Sequence, residues 1–260
     1  MVLSNRVIIM PRQARKQSKS GIYHIMLRGI DRQMIFEDAE DYAHFLDIIK
    51  KCYQECNFTL YAYCLMGNHV HLLMKDQTDN LETIFKKIGA RYVYYYNVKY
   101  QRVGHLFQDR FKSEPVEDDA YFLTVLRYIH QNPVKAKLCA RAEDYPYSSF
   151  AEYLHAGNLV DTDFVFGMID RSDFIKFNNM SNSDTCMDIE IPSRIAVTET
   201  QARVIIEKIS RCKTVTEFQG LEEKKREAYI KKIYGHGVSI RQLSRLTGIT
   251  KGMIEKYLRG

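Results

Sequence analysis

At 260 residues and 45% hydrophobic side chains, the chain has material for one large or two smaller globular domains. No apolar run approaches the ~20 residues that cross a bilayer, which excludes a membrane span and points to a soluble protein. The formal charge of +6 is unevenly placed: residues 1–20 carry five basic and no acidic side chains, 21–157 carry 16 and 18, 158–193 two and seven, and 198–260 14 and seven. A near-neutral body with basic ends is an electrostatic footprint for a polyanion, most often nucleic acid. The N-terminus lacks an apolar core with a small-residue cleavage site, and the six cysteines lack regular spacing, so a cytoplasmic location is expected. Cys52 and Cys56, one helical turn apart with no second cysteine pair, read as buried thiols.

After the basic lead MPRQARKQSKSG, the alternating IYHIMLRG predicts a first strand. Residues 38–56 place Phe45, Ile48, Ile49 and Cys52 on one face of an amphipathic helix. FTLYAYCLM and HVHLLMK predict two strands around Gly67-Asn68, a dipeptide suited to a tight turn or bulge. Residues 80–99 predict a second long helix, and HLFQDRFKSEPV an extended segment. Consecutive helical residues diverge, so most of the tyrosine run at 94–96 is assigned to core. A third helix is expected from Asp118 to Asn132, stopping at Pro133. The order strand, helix, strand, strand, helix, strand is the split β-α-β plan: an α+β, ferredoxin-like antiparallel sheet with helices on one face.

YPYSSFAEYLHAG predicts a short helix on this body, and residues 158–197 an acidic, irregular linker. Residues 198–260 predict a small all-α domain ending in a helix-turn-helix: Ser239 and Gln242 form a capping box, Gly248 the turn, and Ile240, Leu243, Leu246, Ile249, Ile254 and Leu258 a small core. Its second helix would present Thr250, Lys251, Met253 and Lys256 to a major groove, unless the pair is a plain packing hairpin. The expected domains are a basic tail over 1–20, a catalytic domain over 21–157, the linker, and the helical domain.

On a strand, His69 and His71 face the same side while Val70 faces the other. Two imidazoles so placed can take two positions on one metal ion; without a third ligand they are a half-exposed strand pair. In the third helix, Tyr128 and Asn132 are four residues apart and share a face, putting a phenol beside an amide oxygen. A phenol of pKa ~10 needs its proton accepted and the phosphate made electrophilic before it is an effective nucleophile. A cation held by two imidazoles and an amide keeps its full charge and would do the latter, as in a tyrosine transesterification that leaves a 5′-phosphotyrosine and a 3′-hydroxyl.

HVH on a strand and YIHQNP on a later helix together resemble the single-tyrosine HUH transposases, the IS200-like family. The spacing, the MPRQAR start and the NPVKAKL after the helix resemble its REP-associated tyrosine transposase branch, over residues 10–155. The resemblance implies a metal-dependent enzyme that cuts and rejoins single-stranded DNA at hairpins. It makes Tyr128 the nucleophile, His69 and His71 metal ligands, Asn132 the third ligand, and Mg²⁺ or Mn²⁺ the working ion. The mixed donor set alone leaves Zn²⁺ open. It also makes Met10 a candidate start and Arg12, Arg15, Lys16 and Lys19 a tail along a hairpin or its flank. Arg110 and Lys112, alternating around Phe111, and Arg127 are candidate phosphate contacts. The expected partner is DNA, as a single-stranded hairpin and through the C-terminal domain as duplex, bound by a monomer or homodimer away from membranes. The alternative is a DNA-binding regulator that uses the helix-turn-helix and carries a decayed catalytic domain.

Overall fold

The computed structural model describes residues 15–78, 80–108, 110–155, 157, 159–182, 184, 186–187 and 197–259. Four strands, β1 (Ile22–Arg28), β2 (Phe58–Met66), β3 (His69–Asp76) and β4 (Lys112–Pro115), form one sheet in the order β2-β3-β1-β4, with every neighbouring pair antiparallel. With α1 (Ala39–Glu55) between β1 and β2 and α2 (Leu81–Lys99) between β3 and β4, this is the expected ferredoxin-like plan. The segment HLFQDRFKSEPV yields only the four residues of β4 as strand, plus an isolated bridge from Phe107 to Gly29.

Local chemistry accounts for the elements. The Asp38 side chain accepts from the Asp41 N–H while that of Asp41 accepts from the Asp38 N–H, a capping box that starts α1. Phe45, Ile48, Ile49 and Cys52 then form its buried face. In α2, Tyr92 and Tyr96 are core residues, whereas Tyr94 is largely exposed. The pleat sends Leu27 and Tyr63 toward α2 and α1. It sends His24, Met26, His69 and His71 to the opposite face, where α3 (Asp119–Lys135) lies and Tyr128 meets two of the histidine rings.

Two expectations are corrected. The third helix does not stop at Pro133 but runs to Lys135. Proline gives up its N–H bond and crowds the carbonyl one turn back, but this last turn is held from outside. Buried His130 bonds Asn178 Oδ1 through Nδ1 (2.9 Å) and Ser149 Oγ through Nε2 (3.0 Å), and Gln131 donates to the carbonyls of Asn178 (2.7 Å) and Met180 (2.9 Å). Residues 158–197 are also not an irregular linker throughout. After α4 (Phe150–Leu154) come α5 (Thr162–Phe166) and α6 (Arg171–Asn179), and Leu159, Val160, Val165 and Phe174 join the core of the sheet. Their acidic, polar composition reflects short helices that bury single anchors rather than a continuous stripe.

The C-terminal segment has its own core, including Ile206, Phe218, Ile230, Ile233, Leu243 and Ile254, drawn from α7 (Glu199–Ser210), α8 (Val215–Gln219), α9 (Glu223–Gly235), α10 (Ile240–Thr247) and α11 (Lys251–Arg259). The Ser239–Gln242 capping box opens α10, and Gly248 at φ 69° turns the chain toward α11. A side chain there would be strained and would collide with the Gln219 side chain. Among the described residues no helix is long and apolar enough to cross a membrane.

If the α6 clamp holds the end of α3, Asn178→Ala leaves the buried His130 Nδ1 without its partner. The substitution should lower the unfolding free energy by about 2 kcal/mol in urea titrations, whereas Ile175→Ala on the exposed side of α6 should change it little. Equal stability of Asn178→Ala and wild type would remove the clamp from the fold.

Candidate active site

The sheet and α3 bring together the two motifs that sequence separates by 57 positions. The Tyr128 ring lies edge-on to His71 with centroids 5.7 Å apart and to His24 at 5.9 Å, and His69 and His71 stand 5.0 Å apart. All four rings are buried, Tyr128 at 3% exposure and His71 at 1%. Asn132 is buried one turn beyond Tyr128, and its amide nitrogen donates to the Tyr128 carbonyl at 3.3 Å, leaving Oδ1 as its acceptor end. The Lys135 ammonium sits 4.7 Å from the Tyr128 ring centroid.

Hydrogen bonds at the far ring nitrogens determine whether the histidines can hold a cation. Asn68, in the two-residue turn before His69, donates through Nδ2 to the Arg32 carbonyl (3.3 Å), which aims its Oδ1 at His69 Nδ1 (2.7 Å). That nitrogen must therefore carry the proton, and the lone pair of a neutral His69 is on Nε2. His71 Nδ1 contacts His24 Nε2 at 2.9 Å, while its own Nε2 is buried with no hydrogen-bond partner among the described residues. An orphaned buried imidazole nitrogen with a second imidazole 5.0 Å away between centroids suits a metal ion. Burial, reinforced by His69 and His24, pushes the His71 pKa well below the usual histidine value, which keeps the ring neutral as a ligand must be. Among the described residues no three His, Cys, Asp or Glu side chains form a ligand group.

Residues 17–132 match the family described as "Transposase IS200 like". A protein of Haemophilus influenzae, "Putative REP-associated tyrosine transposase", is 30% identical over 146 residues, covering 51% of this chain and 81% of that protein. The chain belongs to the IS200-like transposase family. Its relative places it on the REP-associated tyrosine branch, and it is a DNA transposase. A solved structure, that of the REP-associated tyrosine transposase bound to a REP hairpin, shares the fold at 17% identity and a TM-score of 0.52, covering 72% of this chain and 99% of that one.

The basic residues expected to contact DNA are not all gathered at the transposase's tyrosine. Arg12 lies outside the described residues. Lys16 and Lys19 are exposed. Arg15 and Arg110 both reach Glu82 on α2 (2.7 and 3.2 Å) and line a groove of about 860 Å³ on the α2 side of the sheet, with the Arg15 guanidinium 3.8 Å over Phe111. Lys112 does not share that side: it is exposed opposite Met26, on the histidine face. Arg127 is not a free cation, since it pairs with Asp184 at 2.7 Å and packs on Phe177, which spends its charge within the fold. Thr250, Lys251 and Lys256 are exposed on the last helix pair.

Sequence reasoning missed four residues of this site. His24 and Arg28 sit on β1 beside the pair, Arg28 opposite His69 in register with Nε and Nη2 unpartnered among the described residues. Asn68 adjoins the motif, and Lys135 lies two turns after Tyr128 on its own helix, so the spacing alone could have found these two. If Arg127 is structural, Arg127→Met should lower thermal stability yet leave the slope of log DNA affinity against log salt unchanged. A slope smaller by about one would make it a phosphate contact after all.

Proposed function

We propose that this transposase cuts and rejoins single-stranded DNA at hairpin sites, with Tyr128 as nucleophile and a divalent metal ion, Mg²⁺ or Mn²⁺, held by His69, His71 and Asn132. One observation carries the reading: the Tyr128 ring packs edge-on against His71, whose buried Nε2 lacks a partner among the described residues. The hairpin-bound relative supports the substrate class. The bound ion supplies Lewis acidity at the scissile phosphate, and a donor set of two imidazoles and one amide leaves its charge undiminished.

The chain's own groups do the rest. The Tyr128 oxygen attacks phosphorus, the bond from phosphorus to the 3′ oxygen breaks, and the released 3′ oxygen gains a proton for the one the phenol loses. The 5′-phosphotyrosine keeps the phosphodiester's energy, so a second 3′-hydroxyl can reverse the step and join new ends. Lys135 over the Tyr128 ring and Arg28 beside His69 are placed to meet a phosphate. Tyr128→Phe should abolish the covalent protein–DNA adduct on gels while binding persists, and His69→Ala with His71→Ala should abolish cleavage at every metal concentration. Asn132→Ala should mainly raise the Mn²⁺ needed, because water can replace one ligand. An adduct that survives Tyr128→Phe sinks the assignment.

The helix pair at the C-terminus is the candidate duplex reader of the same enzyme. Ile254 and Tyr257 bury one side of α11 and leave Thr250, Lys251, Met253 and Lys256 exposed on the other. The basic residues of α10 are engaged instead: Arg241 pairs with Asp31, and Arg245 with Glu199. Replacing Lys251 and Lys256 by alanine should flatten the salt dependence of duplex binding by roughly two units of slope and leave hairpin nicking intact. An unchanged slope would return the pair to a packing role.

A further inference from the structure

We propose that His24 and Glu114 are positioning residues that fix the tautomer of His71, so that His71 presents a lone pair rather than an N–H at Nε2; the proposal rests on the metal-site reading above. Neither residue belongs to the HVH pair or to the tyrosine helix. The register brings them in line across three strands: Glu114 on β4 stands opposite His24 on β1, and His24 is the diagonal neighbour of His71 on β3.

A single proton occupies the 2.9 Å contact between His24 Nε2 and His71 Nδ1, and its owner decides what the far side of each ring offers. If it belongs to His71 Nδ1, His71 Nε2 is a lone pair, His24 Nε2 accepts, and the proton of His24 is on Nδ1. If it belongs to His24 Nε2, His71 Nε2 becomes an N–H that no metal can use, and His24 turns a lone pair toward Glu114.

Glu114 selects between these two states. Its Oε2 lies 3.8 Å from His24 Nδ1, too long for a hydrogen bond but within ion-pair range, and neither atom has a hydrogen-bond partner among the described residues. His24 beside it holds the Glu114 carboxyl below the usual carboxylate value, so it is ionised at neutral pH and can only accept. The second arrangement sets acceptor against acceptor; the first sets N–H against carboxylate. His24 and His71 are both buried, so bulk water does not offset the difference. Asn68 fixes the His69 Nδ1 proton in the same way from the adjoining turn.

The test uses the metal-free full chain labelled with ¹⁵N-histidine, in which long-range ¹H–¹⁵N spectra report each ring's tautomer. Wild-type His71 should be protonated at Nδ1. Glu114→Gln, whose amide can donate to His24 Nδ1, should shift His71 toward the Nε2–H form and weaken Mn²⁺ binding by about 10–100-fold. His24→Leu should weaken Mn²⁺ to a similar extent, and His24→Gln, whose carbonyl oxygen can accept from His71 Nδ1, should restore most of it. The Glu114 side chain is more than a third exposed, so Glu114→Gln carries the test even if His24→Leu does not fold. A wild-type His71 found as Nε2–H, or a Glu114→Gln spectrum identical to wild type, overturns the proposal. Absence of Mn²⁺ binding by the wild type would instead sink the metal reading, while the tautomer result stands by itself.

Discussion

Strands β1 and β3 pair antiparallel from Ile22 opposite Lys75 to Arg28 opposite His69, and the polar groups of the site are ordered by that register. It sets His24 diagonal to His71 and Arg28 across from His69, and through β4 it draws in Glu114. The same pairing gives Leu27 and Val70 to the face covered by α1 and α2, so that face and the histidine face are two sides of one hydrogen-bonded ladder. Tyr128 reaches the histidines because α3 packs on their face of the sheet, anchored there by Phe122, Leu126 and Ile129.

That packing relies on a second, wholly polar contact. His130, Gln131, Asn178 and Ser149 satisfy one another in a buried cluster at the end of α3, directly beside Tyr128 and Asn132 in sequence. Directional bonds fix the rotation of a helix about its axis more tightly than apolar contact does. The angle at which the tyrosine meets His71 thus depends in part on Asn178, drawn from a stretch whose composition resembles a spacer. The C-terminal segment is tied to the body by Glu199 N–H to Glu37 Oε2 at 2.9 Å and by Arg241 to Asp31, while Arg245 pairs with Glu199 within the segment.

What was legible in the sequence is what local periodicity encodes. The i, i+2 spacing of His69 and His71 and the i, i+4 spacing of Tyr128 and Asn132 each declare a shared face without any knowledge of the fold. The alternation of IYHIMLRG, the apolar stripe from Phe45 to Cys52 and the Ser239–Gln242 box likewise name their elements. His24 was read as one more strand residue, because its meaning depends on register against a strand 47 positions away. Arg127 looked available because Asp184, which neutralises it, is 57 positions downstream. The helices α5 and α6 escaped notice because five and nine residues are too few to show a period.

The turn between β2 and β3 is only Gly67 and Asn68 long, and it feeds straight into His69. Side chains on a strand alternate with a period of two, so a one-residue gain or loss before His69 that shifts the register of β3 would carry both imidazoles through the sheet to the face of α1 and α2, and one between His69 and His71 would send them to opposite faces. The first would also separate Asn68 from the ring it orients. Exchanging one apolar side chain for another at Val70 disturbs neither relation. Across descendants of this gene, then, the stretch should tolerate drift in spelling while its length stays frozen, a constraint written in the count of residues rather than in their identity.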